Sequence, residues 1–221
     1  APVGVAWSSK ADCAYPATGI ITCGSVWACP VCSAKIRQRR TREVEDVAAW
    51  HAALGGKLVM LTLTLRHTQR DKLAALVEGL IEAWRKIQQS DAWSSRRKLL
   101  AGLIRALEVT QSFTSSDEGG GWHPHLHVLL LVPAGLDAAM MSSEIERELD
   151  AAWPDAVVGE LGERFRPSLA RGVDVRVISA DSARYVSKIS MEVTRADLKD
   201  ASTSIWSLID EGRWGRWTEY C

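Results

Sequence analysis

Hydrophobic and polar positions alternate along the chain with two different periods. "KLVMLTLTLR" (57–66) has period two: Leu61, Leu63 and Leu65 fall on one side, Met60, Thr62 and Thr64 on the other, which predicts a strand. From Asp71 to about Ser90 the period lengthens to that of a helix, with Leu73, Leu76, Val77, Leu80, Ile81 and Trp84 on one stripe. "LIRALEVTQSF" (103–113) predicts a strand, "TSSDEGGG" a loop, and 124–132 the returning strand. Asp137 to Trp153 predicts a helix that ends before Pro154. "GVDVRVIS" (172–179) alternates as a strand, and Asp181 is placed to cap a helix carrying Tyr185 and Lys188.

From 57 to 179 the order is β-α-β-β-α-β. It predicts an α+β protein of the ferredoxin-like kind, an antiparallel sheet with helices on one face and the other face free for a site. Residues 1 to about 29 have little periodicity. Pro30 then suits the first turn of a helix that Gly55 and Gly56 stop after Leu54. Beyond 190 the chain is polar, then rich in tryptophan (Trp206, Trp214, Trp217), and it stops at Cys221 as a cut longer protein would. The expected organisation is a cysteine-rich segment with a basic helix (1–55), a catalytic domain (56–200) and a C-terminal tail (201–221).

With 221 residues, 47% of them hydrophobic, the chain can bury one sizeable core. Lys plus Arg equals Asp plus Glu at 27 each, so net charge points to no partner, but its distribution does. "KIRQRRTR" gathers Lys35, Arg37, Arg39, Arg40 and Arg42 on one predicted helix. Such a run is either a solvated face or a phosphate-binding one. No apolar run is long enough for a bilayer and no signal peptide opens the chain, which predicts a cytoplasmic protein with no membrane partner. Thiols there stay reduced, so four cysteines within twenty residues or so, Cys13, Cys23, Cys29 and Cys32, suggest a thiolate metal site. Cys29-Pro-Val-Cys32 has the spacing that turns two thiolates toward one Zn²⁺, and Cys23 and Cys13 complete a Cys₄ set; the alternative is a group of small buried side chains.

"GWHPHLHVLLLV" (121–132) places three of five histidines within five residues, ahead of a greasy strand. Residues i and i+2 of a strand share a face, so His125 and His127 point together, about 7 Å apart at the backbone, while Leu126, Val128 and Leu130 face away. Two imidazoles at that spacing can converge on one divalent ion. Glu108 lies on the preceding strand with Ala106 and Thr110 on its face. A carboxylate on an apolar strand is costly to bury unpaired, so Glu108 either joins the histidines around a cation or reaches water at the strand end. Tyr185 and Lys188 are spaced i and i+3 on one helix face, where an ammonium can favour a nucleophilic phenolate.

The hydrophobic strand "LVMLTLTLR", then "HPHLHVLLLV", then Tyr-x-x-Lys in "YVSK" form an ordered trio that resembles the HUH endonucleases. With "CGSVWACPVC" upstream, the chain is most similar to replication initiators of rolling-circle plasmids from Gram-positive and actinobacterial hosts. The resemblance implies that His125, His127 and Glu108 hold catalytic Mn²⁺ or Mg²⁺ and that Tyr185 attacks the scissile phosphate of single-stranded or hairpin origin DNA. It implies a 5′-phosphotyrosine and a free 3′-OH, with Lys188 steadying the charge. Asp181 stands four residues before the tyrosine, where some relatives keep a carboxylate that activates water at termination; it is equally placed as the helix cap. Host helicase and replication proteins are implied partners. Trp27 and Trp122 suit base stacking or core packing alike. A transposase or relaxase shares the His motif, and a zinc-stabilised nucleic-acid-binding module with a structural His pair is the non-catalytic alternative.

Overall fold

The computed structural model describes residues 23–112, 121–178 and 205–221, with the backbone of two short antiparallel strands, β1 (Trp7–Ser8) and β2 (Cys13–Ala14). The main sheet has four strands, β3 (Lys57–Leu63), β4 (Gly102–Ser112), β5 (Gly121–Val132) and β6 (Val173–Ile178). Their spatial order is β4-β5-β3-β6, and every neighbouring pair is antiparallel. β3 and β4 therefore run parallel with β5 between them, which is the split arrangement the sequence predicts.

One face of the sheet carries the main core. Val59, Leu61 and Leu63 of β3, Val109 of β4, and Leu126, Val128 and Leu130 of β5 meet α2 (Leu73–Gln89) and α4 (Ala138–Leu161) there. The predicted stripe of α2 supplies Leu73, Leu76, Leu80 and Trp84. Between α2 and β4 lies α3 (Asp91–Leu99), which the sequence pattern does not reveal. Ser90 ends α2 in an extended conformation, and its hydroxyl accepts from the Trp93 amide at 3.2 Å to cap α3. Trp93 packs edge-on against Trp84, 4.8 Å between ring centres.

The opposite face is divided. Leu58, Met60, Leu129, Leu131 and Ile178 form a smaller apolar cluster, covered by Val44 and Ala48 of the basic helix α1 (Pro30–Ala53). Thus a helix assigned by sequence to a separate segment docks on the sheet and closes the apolar part of this face. His51 fastens its end: the buried ring donates from Nε2 to the Val132 carbonyl at 2.8 Å. A Cβ on Gly56 would lie within 2.6 Å of three atoms of that ring, so only glycine fits beneath it.

Three boundaries differ from expectation. The helix expected to stop before Pro154 runs on to Leu161. Proline removes a single helical hydrogen bond, and the buried Trp153 and Val157 hold the chain on either side; the Trp153 indole donates to the Thr64 carbonyl at 2.7 Å. β5 begins at Gly121, not at 124. Pro124 is tolerated because β5 pairs with β3 only from Leu126, leaving that edge open before it. Lastly, residues 205–221 are no loose tail. Ile205, Leu208 and Tyr220 join the main core; Glu219 accepts from the Leu73 amide at 2.9 Å and Arg216 donates to the Gln69 carbonyl at 2.8 Å. Among the described residues no helix is long and apolar enough to cross a membrane.

Leu208 is fully buried. Its truncation in Leu208→Ala is expected to destabilise the protein by about 2–5 kcal/mol, read as a lower denaturant midpoint. An unchanged midpoint would show that the C-terminal segment contributes nothing to the core.

Candidate functional site

The other half of the second face is polar. In register, Glu108 on β4 stands opposite His125, and Thr62 on β3 stands opposite His127. The period-two alternation puts all four side chains on the face away from α2 and α4. The Glu108 carboxylate reaches diagonally, and its Oε2 lies 2.8 Å from His127 Nε2. Both groups are nearly inaccessible, at 8% and 4% exposure, so each satisfies a polar partner that water could not. Thr62 Oγ1 lies 3.1 Å from the other ring nitrogen, Nδ1. The rings of His125 and His127 are nearly parallel, 6.1 Å between centres.

One ligand atom from each of Glu108, His125 and His127 lies within 4.8 Å of the other two. Two ligands of one ion with bonds of about 2.1 Å span up to roughly 4 Å, so small side-chain adjustments bring all three onto one cation. Two imidazoles and a carboxylate leave coordination positions open for substrate oxygens. Glu108, His125 and His127 thus converge at the polar end of the sheet face.

Further residues at this end are not singled out by the sequence. His123 lies on the same face, two positions before His125, and His67 meets it edge-on with 4.0 Å between ring centres. The turn bearing His67 is held by Asp71, which accepts from the Thr68 amide at 2.7 Å, from its hydroxyl at 3.0 Å and from Arg164 at 2.7 Å. Only the register of β3 against β5, absent from any local pattern, reveals Thr62.

A second group gathers at the start of α1. Cys23, Cys29 and Cys32 also bring one sulfur each within 4.8 Å of the others, with Cys23 and Cys32 3.8 Å apart. Cys29 caps the helix, its Sγ accepting from the Cys32 amide at 3.5 Å. That amide, helped by the Cys32 thiol, holds the Cys29 thiol below its ordinary range. The Gly24 amide favours the Cys32 thiolate, but burial and the neighbouring thiols outweigh it and leave Cys32 above the ordinary range. A cation among the three favours the thiolate at each. Cys13 lies in β2, and its side chain falls outside the described residues.

Lys35, Arg37, Arg39, Arg40 and Arg42 lie on the N-terminal half of α1; Arg37 is half-buried and the other four are exposed, Arg39 pairing with Glu43 at 2.8 Å. Trp122 is fully buried, stacked on Tyr220 at 6.2 Å, so it packs the core and offers no face to a base. Trp27, between Cys23 and Cys29, is 40% exposed and lies edge-on to Tyr220 at 5.9 Å. Tyr185, Lys188 and Asp181 lie outside the described residues.

A family model described as replication protein matches residues 19–139, just over half of the chain, a span that holds Cys23, Cys29, Cys32, Glu108, His125 and His127. A Protein rep of Streptomyces lividans is 26% identical over 237 residues, covering 83% of this chain and 51% of that protein. A neomycin resistance protein of Streptomyces cyanogenus is 32% identical over 155 residues, covering 58% of the chain and 34% of that protein. A Protein rep of Bacillus amyloliquefaciens is 31% identical over 108 residues, 47% of the chain and 29% of that protein. The chain spans about half, or less, of the length of these relatives. No solved structure matches.

The turn beside the site yields a pH dependence. Burial pushes the Asp71 carboxyl up, but its bonds from Arg164 and from the Thr68 amide and hydroxyl outweigh this and hold it below the usual carboxylate range. A carboxyl that titrates lower in the folded chain than in the unfolded one stabilises the fold above the ordinary value of about 4, and the contribution vanishes as pH falls through the lowered one. Asp71→Asn is expected to be less stable than the parent at neutral pH, the gap closing in acid. Denaturant melts at several pH values check this; a gap that stays constant with pH would refute it.

Proposed function

The chain belongs to the replication protein family, and from that premise we propose that it nicks and rejoins single-stranded DNA at a plasmid origin to start and end rolling-circle replication. The observation that carries this reading is the convergence of Glu108, His125 and His127 at the polar end of the sheet face. The donor set of imidazole and carboxylate suits Mn²⁺ or Mg²⁺, which when bound would polarise a phosphodiester. Tyr185 attacks the phosphorus, forming a 5′-phosphotyrosine and releasing the 3′-OH of the cleaved strand as a primer. Lys188 favours the phenolate and steadies the phosphate charge. Asp181 either caps the tyrosine helix or activates the water that ends a cycle.

Chain length permits the delivery of Tyr185. β6 leaves the sheet at Ile178, opposite Leu58, whereas the centre lies beside Thr62, four positions further along β3 and one strand across. That separation is about 16 Å by strand geometry. Six residues lie between Ile178 and Tyr185, and the seven Cα–Cα steps can span at most about 25 Å, so the tyrosine has the reach. The exposed basic half of α1 supplies cations for the DNA backbone. Cys23, Cys29 and Cys32, with Cys13 as fourth ligand, hold a structural Zn²⁺ that orders the N-terminal segment.

Two experiments test this. Tyr185→Phe is expected to keep Mn²⁺ and single-stranded DNA binding but to form no covalent adduct with an origin oligonucleotide; an adduct formed at the parental rate overturns the assignment. Metal analysis is expected to find about one Zn²⁺ per chain, lost in Cys29→Ser together with order in residues 1 to about 35. A metal-free protein with an ordered N-terminal segment would exclude the zinc.

A further inference from the structure

Thr62 sits where the covered apolar half of the sheet face gives way to the polar half. It pairs across the sheet with His127 on one side and Asp174 on the other. The two nitrogens of the His127 ring are divided between neighbours: Nε2 lies 2.8 Å from Glu108 Oε2, and Nδ1 lies 3.1 Å from Thr62 Oγ1. A neutral imidazole has one proton to place. The Glu108 carboxylate only accepts, so without an ion that proton sits on Nε2; to ligate a cation through Nε2, that atom must be bare and the proton must move to Nδ1. His127 is buried, so an Nδ1–H without an acceptor would be a costly orphan. The hydroxyl of Thr62 is within reach as that acceptor. Its direction is fixed twice over. Threonine is stiff at χ1, and the flanking Leu61 and Leu63 are fully buried in the opposite face.

Resting on the reading of Glu108, His125 and His127 as a metal centre, we propose that Thr62 is a positioning residue that holds His127 in the Nδ1–H tautomer and aims Nε2 at the ion. Carboxylates and backbone carbonyls commonly do this beside metal-bound histidines; here a hydroxyl on the adjacent strand does it. The residue belongs to β3, the first strand of the main sheet, so the role gives that strand a chemical function beyond packing.

The test is Mn²⁺ titration of the full chain by electron paramagnetic resonance, with His127→Ala as reference. Thr62→Val keeps the shape and removes the acceptor; Thr62→Ala removes both; Thr62→Ser keeps the acceptor. The valine and alanine variants are expected to bind Mn²⁺ about 10- to 100-fold more weakly than the parent, and the serine variant to recover most of that loss. ¹⁵N spectra of the Mg²⁺-loaded protein are expected to show His127 as the Nδ1–H tautomer in the parent and in Thr62→Ser, with that signature lost in Thr62→Val. If either hydroxyl-free variant binds Mn²⁺ as the parent does while His127→Ala does not, the positioning role is wrong and the metal centre stands. If His127→Ala also binds as the parent does, the centre itself is wrong and the role falls with it.

Discussion

A carboxylate on a buried sheet face needs a compensating partner, and much of this structure follows from how Glu108 finds one. Its position on β4 is opposite His125, but its oxygen goes to His127, one pleat further along β5. That diagonal reach requires the β4–β5 register to be held to the residue, because a slip of one would turn every side chain to the other face. The register is held by apolar residues on the far side. Val109, Leu126, Val128 and Leu130 are buried against α2 and α4. The polar cluster therefore borrows its geometry from a core it does not touch. A polar group at such a place is tolerable only while it is fully paired, so the arrangement that satisfies Glu108 in the fold is also one with the donors to hold an ion.

The second constraint is how much of the site face is covered. A four-stranded sheet with helices on one side leaves the other side open, and an open apolar face would invite association. Here α1 closes the apolar end through Val44 and Ala48, with His51 tied to the last carbonyl of β5. At the polar end Glu108, His125 and His127 converge. The division follows from the sequence of β5, whose inward face on this side reads His125, His127, Leu129, Leu131. Chemistry and packing share one strand, separated by one pleat.

The central fold was legible because its signals are local. Period-two runs mark β3 and β6, a helical stripe marks α2, and the hairpin carrying Glu108 against the histidines needs only the pairing of adjacent strands. What was not legible depends on partners far away in sequence. α3 is short and polar, with Trp93 its one buried residue, so it has no periodicity to read. Pro154 signals a helix end locally, yet Trp153 and Val157 bury the helix through it. The polar and tryptophan-rich C-terminal stretch reads as a tail until Tyr220 is seen against Trp122, and the same contact removes Trp122 from the DNA-facing residues. Thr62 looks like any strand-forming threonine until β3 is laid beside β5.

That Trp122–Tyr220 contact has a wider consequence, because Trp122 directly precedes the histidine run on β5. Tyr220 stacks on it and meets Trp27 edge-on, and Trp27 stands between Cys23 and Cys29. Arg216 adds its guanidinium over the Trp122 ring at 5.6 Å, within the range of a cation–π contact. The segment between Cys23 and Cys29 and the start of the histidine strand are thereby joined through ring contacts to Tyr220 of the C-terminal helix Trp214–Tyr220. Rings in contact transmit position only if each is held from behind, and they are: Tyr220 belongs to the main core and Trp122 is fully buried in it. Trp27 is thereby seated against core residues, and the geometry at Glu108 and His127 is set by the sheet itself.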